Sequence, residues 1–151
     1  MEDTIEKKAE LKAPVERVWK ALTDHKEFGE WFGVRIDGPF VVGQLSTGNI
    51  TYPGYEHVKW EATVTKMERP RFFSYTWHPY AIDPNIDYST EPVTLVEFTL
   101  EPTETGGTLL TVKESGFAKI PAGRRPEAFR KNTAGWEGQL ESIAEYVHGK
   151  A

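Results

Sequence analysis

Glu114 is the ionisable residue whose position is hardest to reconcile with its charge. In TLLTVKES, residues 108–115, Leu110, Val112 and Glu114 alternate with Thr111 and Lys113. A strand here puts the carboxylate on the apolar side. A carboxylate aimed at an apolar interior needs dedicated partners, and such groups mark functional sites. The plainer outcome is a strand-end residue that escapes to water beside Ser115-Gly116. Glu114 is therefore the one candidate catalytic group, with His78, Tyr80 and Tyr75 as further acid–base candidates. The parity of His78 is outward, which predicts a place in solvent. His25 and His148 read as solvated helix residues, and His57 lies near the start of a strand. The four histidines lack metal-ligand spacing and there is no cysteine, so no metal site is expected. The chain carries no Gly-x-Ser-x-Gly elbow, no phosphate-cradling glycine loop and no His-Glu-x-x-His, and no cofactor is implied.

A second departure from a bland pattern is the run from Lys119 to Lys131. Lys119, Arg124, Arg125, Arg130 and Lys131 oppose only Glu127, in a chain of formal net charge −5. Cations at a helix N-terminus run against the macrodipole. Two readings stand: a solvated loop with distant counter-charges, or a group steering an anionic ligand.

The elements that must position these residues are legible from periodicity. Phe129, Thr133, Trp136, Leu140, Ile143 and Val147 fall at steps of three and four, one stripe of a long amphipathic helix near 124–148. Gly135 and Gly138 interrupt it; Gly138 falls opposite the stripe, and Gly135 on its flank is placed to admit a neighbouring loop. Upstream, Thr4 to Lys12 alternates as a weak first strand. PVERVWKALT and HKEFGEWF follow as two short helices, the second capped by Thr23 or Asp24 and ended by Gly33. Runs 58–68, 71–78, 92–101 and 108–115 read as antiparallel strands, each with one apolar and one wet face. Phe73, Tyr75 and Trp77 load one face of a single strand and are expected to meet the C-terminal helix. HPYAIDPNIDYSTE, between Trp77 and Pro92, is too long for a tight hairpin, and loops of that length often serve as lids.

With 151 residues the chain is read as one domain, 1–151, able to bury a core without staples. Acidic net charge argues against a general nucleic-acid or anionic-membrane binder. No apolar run follows Met1, and no 18-residue apolar segment occurs, so a cytoplasmic protein is expected.

Four segments in order carry a resemblance over essentially the whole chain. APVERVWKALTDHKEFGEWFG, RPRFFSYTWHP, TVKESGF and NTAGWEGQLESIAEYV together resemble the family similar to the C-terminal domain of the activator of heat-shock protein 90 ATPase. That family belongs to the START-like, or SRPBCC, superfamily. The resemblance implies an α+β helix-grip fold, with a curved antiparallel sheet wrapped around the long C-terminal helix and two short helices after the first strand. It also implies a cavity between sheet and helix, but no single activity, because this fold hosts carriers, cyclases, dehydratases and co-chaperone domains. The N-terminal domain of the eukaryotic co-chaperone has no counterpart in the sequence, so no effect on a heat-shock protein 90 ATPase is expected, and a protein partner is not indicated.

Aromatic rings opposed across a curved sheet and a straight helix are the kind of lining that pockets use. The expected ligand-binding set is Phe32, Trp60, Phe73, Tyr75, Trp77, Val96, Phe98, Val112, Glu114, Phe117, Phe129, Thr133, Trp136 and Leu140. The expected function is binding of a small, largely apolar molecule, aromatic or lipid-like. The alternatives are a cyclase- or dehydratase-type enzyme using the same cavity, and a co-chaperone-like interaction domain.

Overall fold

A computed structural model describes residues 3–149. The chain runs β1 (Thr4–Leu11), α1 (Val15–Thr23), α2 (His25–Phe32), β2 (Val34–Ile36), β3 (Leu45–Ile50), β4 (Lys59–Glu68), β5 (Phe72–Trp77), β6 (Thr94–Pro102), β7 (Thr108–Ser115), a 3-10 turn at Phe117–Lys119, and α3 (Arg125–Gly149). The strands form a single seven-stranded sheet in the order β1-β7-β6-β5-β4-β3-β2, antiparallel at every junction. This is the expected α+β helix-grip arrangement, with α3 lying across the inner face.

Local chemistry explains the two short helices. Asp24 accepts from the backbone N–H groups of Lys26 and Glu27, capping α2. Gly33 ends it with φ of 88°, the left-handed conformation that glycine adopts without a Cβ penalty. The Trp31 indole donates to the Ala21 carbonyl at 2.7 Å, fixing α2 against α1. β4 carries a bulge between Val64 and Lys66, where its register on β5 shifts. Such a bulge bends the strand and helps the sheet curl around α3.

The core lies between the inner face of the sheet and the helices. Val96, Phe98 and Leu100 of β6 and Leu110 and Val112 of β7 are buried, as alternation predicts. They meet Trp136, Leu140, Ile143 and Val147 of α3, the expected stripe, joined by Ala128. Phe129 and Thr133 are half-buried at its upper end. The middle of the sheet–helix gap is filled: Phe98 meets Trp136 edge-on at 5.7 Å between centroids, and Trp77 stacks on Trp136 at 5.8 Å. Gly135 and Gly138 face open space, so no neighbouring loop enters at Gly135.

Candidate functional site: a buried carboxylate clasp beside an aromatic cleft

Antiparallel register brings one end of three strands together. Trp77 at the end of β5 pairs with Thr94 at the start of β6, and Val96 pairs with Glu114 near the end of β7. Asn132 and Trp136, four residues apart on α3, cross above them on one helical face. The Glu114 carboxylate is fully buried where these elements meet. Its Oε1 accepts from the Trp136 indole at 2.8 Å and from Asn132 Nδ2 at 3.0 Å. Its Oε2 accepts from the Trp77 indole at 2.8 Å, the Thr94 hydroxyl at 2.6 Å and Asn132 Nδ2 at 3.2 Å. Every partner donates, which is the demand of an acceptor-only carboxylate. Among the described residues no cation approaches it; the charge is held by neutral dipoles, and hydrogen bonds to an ionised group are the stronger kind. Glu114 thus does not escape to water at the strand end. It ties sheet to helix through four side chains.

Next to this clasp lies a half-enclosed cleft of about 720 Å³. It wraps around the ends of β3, β4 and β5. Phe32, Trp60, Trp77, Asn132 and Gln139 form its inner wall, and Leu45, Thr63 and Thr76 come from the other side of the sheet edge. Two loops complete it. The β3–β4 loop brings Tyr52, Tyr55 and His57, and the long β5–β6 loop brings His78, Tyr80, Ile82 and Ile86. Phe32, Trp60 and Trp77 stand 5.4–6.1 Å from one another in a mostly edge-on cluster. Trp60 is fixed by donating its indole N–H to Ser46 Oγ at 2.9 Å, and Gln139 donates to the Phe32 carbonyl at the end of α2.

The β5–β6 loop is fastened from several directions. Arg124 donates to the carbonyls of Pro79 at 2.7 Å and Tyr80 at 3.1 Å, and to Glu91 Oε1 at 2.7 and 3.1 Å. Its guanidinium also lies 4.8 Å from the Tyr88 ring centroid. The Arg124 and Glu91 side chains are only 15% and 16% exposed, so water screens this pair weakly. His78 bonds the Glu91 carbonyl through Nε2 at 3.0 Å, and His57 bonds the Ile82 carbonyl at 3.1 Å. His78 is half-buried in this network rather than placed in solvent. Tyr80 has a φ of 50°, unusual for a residue with a bulky side chain, and the bond to Arg124 holds its carbonyl in place. Burial first, and the charge of Glu127 second, push its phenol pKa up. The basic run is resolved in part: Arg124 is spent on the loop, and Arg125 donates to the Ile120 carbonyl.

Of the residues expected at a ligand site, Phe32, Trp60 and Trp77 line the cleft. Phe73, Tyr75, Val96, Phe98, Val112, Glu114 and Phe117 are sealed in the core, with Trp136 and Leu140 at its edge. Phe129 packs on Phe117 at 5.2 Å, and the Thr133 hydroxyl bonds back to the Phe129 carbonyl. The Tyr75 phenol pKa is raised well above its usual value, chiefly by burial and then by the charge of Glu114. Periodicity did not single out Thr94, Asn132 or the cleft residues Tyr52, Tyr55, Ile82 and Ile86. The length and ring content of the β5–β6 loop were the available signal for the last two; Thr94 and Asn132 carry no signal of their own.

A curved antiparallel sheet gripping one long helix, with a cleft at the end of the grip, defines a helix-grip protein of the START-like kind. Residues 12–148 match the family described as Activator of Hsp90 ATPase homolog 1-like protein, and the chain belongs to that family. A comparison with curated protein sequences finds no match. Among solved structures, the Mesorhizobium loti protein MLL2253 is similar at 26% identity, with a TM-score of 0.77 and 98% of both chains covered. DynU16, a protein of the dynemicin biosynthetic locus, is 22% identical with a TM-score of 0.75; 98% of this chain is covered but only 48% of DynU16, so this chain spans about half its length. CalU16 from Micromonospora echinospora is likewise 22% identical, with a TM-score of 0.66, covering 98% of this chain and 76% of CalU16. At those identities the last two show a shared fold.

Proposed function

We propose that this protein binds a small, largely apolar, ring-bearing molecule in the cleft at the end of the sheet. The observation that carries the reading is the cleft's lining: Phe32, Trp60 and Trp77 form an aromatic inner wall, while the charged side chains Lys59, Glu61, Asp83 and Asp87 come from the outer side of the sheet and the β5–β6 loop. An aromatic wall of this kind suits a small ring-bearing ligand, and the cleft falls in the size range of such pockets. Its mouth supports the same reading. Leu45 and Tyr52 are 57% and 62% exposed, and Ile86 and Val93 are also exposed beside them. Contiguous apolar surface of this kind marks a place that something apolar covers. Binding rather than turnover is favoured because Glu114, the candidate catalytic carboxylate, has both oxygens occupied and is shut off from the cleft. Two imidazoles that do reach the cleft already spend Nε2 on loop carbonyls.

A panel of uncharged two- and three-ring aromatic compounds tests the proposal. A compound that binds only the folded state raises the melting temperature by linkage. The expected result is a concentration-dependent rise accompanied by quenching of tryptophan fluorescence. A panel that moves neither quantity at saturating solubility would refute the reading, and conversion of a bound compound would promote the enzyme alternative.

A further inference from the structure

Among the described residues, the Tyr75 hydroxyl is the only buried side-chain polar atom without a hydrogen-bond partner. Buried polar groups are almost always paired, so an orphan of this kind calls for an explanation. A phenylalanine would fill the same space without the penalty of an unpaired hydroxyl.

The surroundings of the ring suggest what the hydroxyl serves. Tyr75 contacts Trp60 and Trp77 with centroids 5.5 and 5.3 Å away, and both indoles belong to the inner wall of the cleft. Phe32 contacts the same two indoles at 5.4 and 6.1 Å. Trp60 is pinned by Ser46 and Trp77 by Glu114. Phe32 is half-buried at the last residue of α2, and its side chain has no polar tie to break. Of these three wall rings, it is the one that can swing without losing a hydrogen bond.

We infer that, with Phe32 displaced, Tyr75 donates its hydroxyl hydrogen to an uncharged oxygen acceptor, a carbonyl or ether, on a ring-bearing ligand in the cleft. The inference rests on the cleft reading above and adds the polar group that the ligand must carry. The acceptor is uncharged because the Glu114 carboxylate lies within electrostatic reach of the phenol and would repel a second anion. Burial, with the Glu114 charge second, keeps the phenol protonated throughout the neutral range, so Tyr75 remains a donor there.

Fluorene and 9-fluorenone share one three-ring frame and differ by a methylene against a carbonyl. Their binding to the full chain and to Tyr75→Phe can be measured by tryptophan quenching, with each affinity corrected for the compound's partition from water. The wild type is expected to prefer the ketone by about five- to tenfold, the worth of one net hydrogen bond. Tyr75→Phe should lose that preference while melting at or above the wild-type temperature. Phe32→Ala should speed ketone association. A ketone preference that survives in Tyr75→Phe, or is absent from the wild type, would overturn the assignment while leaving the cleft reading intact. A lower melting temperature in Tyr75→Phe with unchanged preference would give the hydroxyl to a buried water instead, and would overturn it equally. If neither probe binds the wild type, the cleft reading fails and this inference fails with it.

Discussion

Glu114 shows how far residue-level reading reaches. Alternation along β7 places its carboxylate inward, and the structure does so with no exposure. The partners that make this tolerable come from β5, β6 and α3 and are joined only by the tertiary fold. No local pattern in the sequence announces that Thr94 and Asn132 will share a carboxylate with two indoles. The consequence for stability is specific. Glu114→Gln replaces one acceptor oxygen by an NH₂ that must face donors, so hydrogen bonds are lost and donors collide. We expect it to cost about 2–4 kcal/mol, since each buried donor left unpaired costs about 1–3 kcal/mol. Thr94→Val removes one hydroxyl at nearly constant shape and should cost about 1–2 kcal/mol. Urea unfolding of both variants checks the ordering. A Glu114→Gln protein as stable as the wild type would mean that the clasp does not hold the sheet to α3.

At the scale of elements, the stripe on α3, the two short helices and the four longer strands were legible because each rests on a local period of hydrophobicity. β2 and β3 were not resolved as strands, since VRI is three residues long and LSTGNI alternates weakly. Gly48 in the second run lies so close to the Arg35 backbone that a Cβ would collide with its carbonyl, a packing demand that looks like a turn signal in sequence. The glycines of α3 have no such demand. Gly135→Ala and Gly138→Ala meet open space and should each stabilise the protein by about 1 kcal/mol through helix propensity alone, read as a rise in urea midpoint. A loss of stability in either would point to a contact at that position. The β5–β6 loop was legible as long and lid-like, but its fastening by Arg124 was not, because a cation near a helix start gives no hint of its partner. Arg124→Met removes the bonds to Pro79, Tyr80 and Glu91 while keeping a long apolar stem. Amide exchange across residues 79–92 should then accelerate about tenfold or more, with the middle of α3 unchanged. Unchanged protection in the loop would show that the histidine and turn contacts suffice to hold it.

For the whole molecule, the sequence resemblance and the family match over residues 12–148 agree on the helix-grip fold. What sequence did not reveal is how the aromatic load divides. The expectation was one lining; the structure packs Phe73, Phe98 and Trp136 into a filled centre and leaves Phe32, Trp60 and Trp77 facing the free volume at one end. Periodicity reports which face a side chain takes, whereas filling depends on volumes summed across elements distant in the chain. The fold therefore narrows the ligand question to the cleft and its two loops. The five tryptophans make this accessible to a single experiment, because the indole N–H groups report from distinct places. Trp60 and Trp77 line the cleft, Trp31 lies behind it against Phe32, and Trp19 is packed in α1. Titrating ¹⁵N-labelled protein with 9-fluorenone and following the indole resonances tests the central claim most directly. The account predicts saturable shifts at Trp60 and Trp77, smaller ones at Trp136 through the shared Glu114 carboxylate and at Trp31 through its edge-on contact with Phe32, and none at Trp19. Saturating probe that leaves the Trp60 and Trp77 resonances in place, or that moves Trp19 instead, would contradict it.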